Sequence, residues 1–172
     1  LGYSTGWKRA LATVSGVIDE TRRRDFMAQH TGQHLLSQAV LREAGARTLS
    51  ARLGESECTL DVEPADVPLE KLRAAEALVN AVIEQDLAVR AWFPPPDELA
   101  TLKLRRPPKV AEHIRVVAVG DFEATACGGT HCRSTSQVGL LLVLGAERYK
   151  GLTRITFAAG ARARRIALPG SL

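Results

Sequence analysis

The segment from Thr21 to Ala44, TRRRDFMAQHTGQHLLSQAVLREA, contains no proline and is followed by Gly45. Leu35, Leu36, Ala39 and Val40 make an amphipathic stretch within it, and glycine is a natural helix C-cap. The segment therefore reads as one long helix over 21–44, and the rest of the chain organises around it. Downstream, Leu49, Ala51 and Leu53 alternate with Ser50 and Arg52, and after Gly54 the residues Cys58, Leu60 and Val62 alternate with Thr59 and Asp61. Period-two alternation of this kind predicts a strand pair. Pro68 opens a second helix on which Leu69, Leu72, Val79 and Ile83 share a face. Upstream, residues 1–20 are mixed, with a short strand expected around Ala10–Ile18.

Ala88–Phe93 reads as a strand ended by Pro94-Pro95-Pro96, a stiff turn or internal lobe boundary. A short helix near Asp97–Leu104, a basic link and a strand at Ile114–Val119 follow. Ala124–Ser136, rich in Gly, Thr, Ser and Cys, reads as a loop. It feeds a hairpin of Val138–Leu144, a turn near Glu147–Gly151, and Leu152–Ala158. Helices and strands mix without regular βαβ repetition, so the expected class is α+β, a largely antiparallel sheet packed with two main helices. The domains are expected as 1–20, the edge or remnant of an N-terminal β lobe, 21–165, the main domain, and 166–172, a tail.

Apolar residues make up 45% and charged residues 24% of the 172 residues, an ordinary globular balance. No apolar run approaches the roughly 20 residues that span a bilayer, so a membrane partner is excluded. Three cysteines cannot all pair, which fits a reducing cytoplasm better than a disulfide framework. The formal charge of +4 is compatible with a polyanionic partner. Its distribution says more: Arg22–Arg24, Lys103–Lys109, Arg148–Arg154 and Arg162–Arg165 are separate basic clusters. Each suits either a nucleic-acid backbone or a solvated face.

The chemistry lies in the histidines, of which there are four. His30 and His34 stand at i and i+4 of the first helix, so both imidazoles leave one face a turn apart. Far along the chain, Cys127-Gly128-Gly129-Thr130-His131 sets a thiol and an imidazole four apart in a loop that two glycines allow to fold tightly. Together they offer nitrogens and a sulfur suited to tetrahedral zinc. The glutamate that follows the first histidine in zinc peptidases is a threonine here, Thr31, so an activated ester suits the site better than a peptide bond. Cys132 is a spare thiol beside His131. Cys58 reads as a buried free thiol, and His113 as structural or exposed.

These same residues carry a likeness. Arg24–Ser37 resembles the "M..HTaqHLLs" stretch of alanyl-tRNA editing domains, and Cys127–His131 matches their CGGTH motif. Gln137-Val138-Gly139 and Gly151–Phe157 fall where that family shows GEIG and RGxxRVxF. The threonyl relatives carry GPH instead of GGTH, so the alanine branch is the closer one. The resemblance runs from about Arg22 to about Arg165. It implies the second-additional-domain (editing) fold of tRNA synthetases, zinc held by His30, His34, Cys127 and His131, and deacylation of tRNA(Ala) mischarged with serine or glycine. Thr48, with Ser50 two residues on, is the counterpart of a threonine that tells serine from alanine. Gln33, between the two histidines, is placed to bond the ester or the amino acid. With Gly128, Gly129 and Thr130 these form the expected catalytic and substrate-binding set, and Arg148, Lys150 and Arg154 an expected tRNA contact. Gly32 and Cys132 depart from the family's usual Ala and Val. The chain reads as an excised or compact editing module. A zinc-stabilised RNA-binding module, or a zinc hydrolase of another small ester or amide, are the alternatives.

Overall fold

In a computed structural model, which describes residues 13–108 and 112–168, the first helix, α1, spans Glu20–Ala44. Asp19 caps its start by accepting from the Arg22 N–H, and Gly45 ends it in the left-handed region at φ 63°. The Gly45 N–H returns to the Leu41 carbonyl at 3.0 Å. Residues 13–19 carry no regular structure and are exposed, so the strand expected to end at Ile18 is not formed over 13–18; its first residues lie outside the described ones. With Val14 and Val17 exposed, nothing there packs to hold a strand.

Strands β1 (Arg47–Leu53) and β2 (Cys58–Glu63) pair antiparallel. The second helix, α2, spans Leu69–Glu84, with Pro68 one position before its first turn. β3 (Val89–Trp92), a short α3 (Pro96–Thr101) and β4 (Val116–Val119) follow. The stretch read as a loop from Ala124 begins instead with a strand, β5 (Glu123–Ala126), paired to β4. Its small residues disguise it: Ala124 and Ala126 carry little of the branched bulk that marks strands, yet backbone pairing with Val116–Val119 suffices. A 3₁₀ turn at Thr135–Val138 leads to β6 (Leu141–Tyr149) and β7 (Leu152–Ala159). A last helix, α4 (Gly160–Ala167), was not expected; it runs past residue 165.

The class is α+β, with all named strand pairings antiparallel, but the strands divide into two sheets rather than one. Four strands lie in the order β1-β2-β7-β6, and three in the order β3-β4-β5. Cys58, Leu60 and Val62 of β2 and Ile155 and Phe157 of β7 are buried on one face of the larger sheet. They join Leu35, Leu36 and Val40 of α1 and Leu72, Val79 and Ile83 of α2 in a single core. Each such side chain contributes about 1.5–3 kcal/mol on leaving water. Among the described residues no helix is long and apolar enough to cross a membrane. β5 reaches α1 through Glu123 and His34, and the chain leaving it carries Cys127 and His131 to the other histidines.

Candidate metal centre

The i, i+4 spacing sets the His30 and His34 rings on one side of α1, with centroids 5.1 Å apart. The loop after β5 brings His131 against both, at 4.1 Å from His30 and 4.5 Å from His34. Cys127 Sγ lies 3.5 Å from His30 Nε2 and 3.4 Å from His131 Nε2. The ligand atoms of His30, His34, Cys127 and His131 all fall within 4.8 Å of one another. A tetrahedral ion with bonds of about 2.0–2.3 Å separates its ligands by roughly 3.3–3.8 Å, so the two measured edges fit one. Three imidazoles and a thiol within this reach can hold a metal ion.

Each imidazole turns its other nitrogen outward to a partner. His30 Nδ1 is 3.2 Å from the Thr130 carbonyl, His131 Nδ1 3.3 Å from Thr31 Oγ1, and His34 Nδ1 3.4 Å from Glu123 Oε2. A carbonyl and an ionised carboxylate only accept, so His30 and His34 donate from Nδ1, and a metal held in the centre would take the lone pair of Nε2. Glu123 has no exposed side-chain surface, and its other oxygen accepts from Arg105 Nε at 3.0 Å. Thr31 is buried, and its hydroxyl also accepts from the Cys132 N–H.

Electrostatics favour a cation. Burial would push the Cys127 thiol up, but hydrogen bonds with His131, His30 and His34 outweigh it and bring its pKa down to about 3. A thiolate is the form that binds metal. His131 is lowered to about 4, first by burial, against the raising bond to Cys127. Burial also works to lower His34, yet its bonds to Cys127 and Glu123 leave it raised.

The loop is shaped by backbone needs. A Cβ on Gly129 would stand 2.2 Å from His30 Cε1, so only glycine fits under that ring. Arg115 Nη1 donates to the carbonyls of Cys127 and Gly129, both at 2.8 Å. Gly128 faces open space, and Thr130 serves through its carbonyl. Gly32 packs so closely that an added Cβ would lie 2.9 Å from Ala159 Cβ, which accounts for the absence of alanine there.

Two cavities flank the centre along α1. The smaller, about 300 Å³, is lined by Ser37, Thr48, Leu49, Arg105 and Arg106 among others. Thr48 Oγ1 is buried there without a hydrogen-bond partner. Gln33 Nε2 donates to Ser37 Oγ at 2.7 Å. Ser50 is engaged elsewhere, donating to Asp61 at 2.8 Å. The larger cavity, about 710 Å³, includes Met27, Cys132 and Arg133. Cys132 is buried and stands outside the converging four. Cys58 is likewise a buried free thiol, whereas His113 is exposed at the φ 51° of a turn.

The hairpin residues lie apart from the four ligands. Arg154 makes two bonds to Asp61, at 2.7 and 2.9 Å, and its guanidinium sits 3.4 Å from the Tyr149 ring. Arg148 pairs with Asp66 on the surface, and Lys150 forms the turn. Sequence reasoning missed Glu123, Arg105, Arg115 and Thr31. Only Glu123 left a signal, and a weak one, since it shares the mostly apolar stretch 116–126 with a second acid, Asp121.

The profile of the threonyl and alanyl tRNA synthetase second additional domain matches residues 114–156. The chain is 38% identical over 150 residues to the alanyl-tRNA editing protein AlaX-L of Pyrococcus horikoshii, covering 85% of this chain and 37% of that protein. It is 35% identical over 159 residues to the alanine–tRNA ligase of Halobacterium salinarum, and 35% over 161 residues to that of Pyrococcus abyssi. These matches cover 87% and 86% of this chain and 17% of either ligase. The chain thus spans little more than a third of AlaX-L and about a sixth of the ligases. The matched domain profile and this likeness over most of the chain's length are to the second-additional-domain family, on its alanyl-tRNA editing branch.

Proposed function

We propose that this chain is a zinc-dependent deacylase of mischarged tRNA(Ala), acting chiefly on Ser-tRNA(Ala) and also on Gly-tRNA(Ala), and releasing the free amino acid in the cytoplasm. The observation that carries this reading is the convergence of His30, His34, Cys127 and His131 within 4.8 Å, in a chain of the alanyl-tRNA editing family. Three imidazoles and a thiolate suit zinc over harder cations. Zinc held there would supply Lewis-acid polarisation of a carbonyl and acidify a water. An ester needs no more than this, which agrees with the missing general-base glutamate. The hydroxyl of Thr31, its replacement, is engaged with His131 and the Cys132 N–H.

The choice of serine over alanine follows from the smaller cavity. Thr48 Oγ1 lacks a partner, and a serine hydroxyl set against it would supply one. Alanine would leave the pair unmade, and a buried group without its partner is how such sites reject the smaller analogue. Gln33, fixed by Ser37, lies between the two α1 ligands and orients the ester or amino group. Gly128, Gly129 and Thr130 act by setting the loop path. Of the hairpin residues, Arg148 and Arg154 already hold carboxylate partners, so of the three Lys150 is the one left for a tRNA contact without breaking such a pair.

Deacylation of Ser-tRNA(Ala) beside Ala-tRNA(Ala), with and without a chelator, for wild type and Cys127→Ala, tests the reading. Serine release that spares alanine and vanishes with chelator and in the variant is the expected outcome. No release from either substrate by folded, zinc-loaded protein would sink it. An RNA-binding module with structural zinc, or a hydrolase of another small ester, would then remain.

A further inference from the structure

We propose that the larger cavity, between the N-terminal turns of α1 and the segment after His131, seats the sugar-phosphate backbone of the single-stranded RNA end that leads to the metal centre. The inference rests on the reading of an RNA-linked ester as substrate and names where that RNA lies.

Placement comes first. The cavity's floor includes Met27, one helical turn before His30, and Cys132, the neighbour of His131. A chain lying in it therefore ends beside the four ligands. Its rim carries Arg23, Arg24 and Arg133. A second cavity of about 630 Å³ shares Arg24 and Gln137 with it and adds Arg164 and Arg165 of α4. The two together form one basic face running away from the centre.

The acids nearby are committed: Asp19 caps α1, Glu20 pairs with Arg24, Glu55 with Arg22, and Asp25 with Arg162. Arg23, Arg133, Arg164 and Arg165 are exposed, and none makes an ion pair among the described residues. Arg164 and Arg165 are explained in part by the helix dipole, because they sit in the last turn of α4 where a cation is favoured. Arg23 has no such excuse. It stands in the first turn of α1, within a run of three arginines, where the dipole opposes every positive charge. Cations kept against the local field, with their nearby acids spoken for, are what an external polyanion would neutralise. The hairpin tip differs on this count, since Arg148 and Arg154 have Asp66 and Asp61.

The lining also says how the RNA is read. No aromatic side chain lines the larger cavity among the described residues, so it offers no stacking platform for bases. Recognition there is through phosphates, indifferent to base identity and sensitive to salt.

The test uses the full chain loaded with zinc and uncharged tRNA(Ala), so binding is read without turnover. Kd is measured against salt for wild type, for Arg23→Glu with Arg133→Glu, and for Lys71→Glu with Arg73→Glu on α2 as an equal change of charge elsewhere. The first pair is expected to weaken binding at least tenfold and to flatten the slope of log K on log salt by about 1.4, two phosphates at ~0.7 each. Arg23→Lys with Arg133→Lys should restore both, and the α2 pair should match wild type. With Ser-tRNA(Ala), the same loss should appear in KM while kcat stays within about twofold. Wild-type affinity and slope in the glutamate pair, or an equal loss in the α2 pair, would overturn the proposal. Loss confined to Arg148→Glu with Lys150→Glu would also overturn it, moving the RNA to the hairpin. Failure of the deacylase reading looks different: tRNA binds with these dependences, yet no amino acid is released.

Discussion

A single carboxylate would decide how rigidly the centre holds a metal. Glu123 is fully buried, faces His34 Nδ1 at 3.4 Å and accepts from Arg105 at 3.0 Å. An ionised carboxylate bonded on both sides fixes one tautomer and one ring orientation in His34. Glu123→Gln keeps the shape but replaces one acceptor with an NH₂ group, which must then oppose either His34 or Arg105. We expect zinc affinity to fall about 10–100-fold, measured by competition with a chromophoric chelator, and the visible spectrum of the cobalt-substituted protein to shift. Glu123→Asp should recover part of the affinity. An unchanged affinity and spectrum in Glu123→Gln would mean that Glu123 serves only Arg105. Removing the carboxyl altogether is the poorer experiment, because it strands Arg105 as a buried cation, at a cost of about 3–5 kcal/mol.

Among the elements, α1 does two jobs, and its sequence divides accordingly. Its C-terminal half packs Leu35, Leu36, Ala39 and Val40 into the core, while its middle presents ligands and a clamp. Gln29, wholly buried, donates to the Ala159 carbonyl at 2.7 Å and accepts from the Ala159 N–H at 2.9 Å, imitating a further strand at the end of β7. Gln29→Ala leaves both backbone groups without a partner, and we expect a loss of about 2–4 kcal/mol in urea unfolding with an unchanged m-value. A loss under about 0.5 kcal/mol would show that water or a backbone shift replaces the amide. The legible part of the fold was the part driven by periodicity: α1, α2, the β1–β2 pair and the final hairpin alternate or repeat in ways that solvent imposes. β5 was hidden because its residues are small, and α4 because Gly160-Ala-Arg-Ala-Arg-Arg offers no side-chain cap and reads as a charged tail. In the same way the convergence of His30, His34, Cys127 and His131 was readable, since metal coordination would demand such residue types at such spacings. Their supports were not: a Thr130 carbonyl, an Arg115 holding two carbonyls and a Glu123 arriving from another sheet have no local spacing to betray them.

Across the whole molecule, the centre is also a fastening. The four-stranded sheet shares one core with α1 and α2, and the β3-β4-β5 sheet joins that core through Val119, Phe122 and Val89 and meets α1 through a few specific links. Arg42 donates to the Phe122 carbonyl at 2.7 Å and lies over that ring, Glu123 reaches His34, and the loop leaving β5 carries Cys127 and His131. A metal ion bound by α1 and this loop would join the two sheets, and anything that binds only the folded state stabilises it by mass action. At free zinc a hundred times Kd the gain is about 2.7 kcal/mol, which for a domain of this size raises Tm by about 5–11 °C. Chelation should reverse that shift. Because the metal touches one sheet only through the β5 loop, amide exchange should quicken in β4 and β5 and stay as it was in β2 and β7. A Tm indifferent to chelator, with unchanged protection in β5, would mean that the loop holds its shape through its own hydrogen bonds, those of Arg115 and Thr31 among them. The metal's part would then be confined to chemistry.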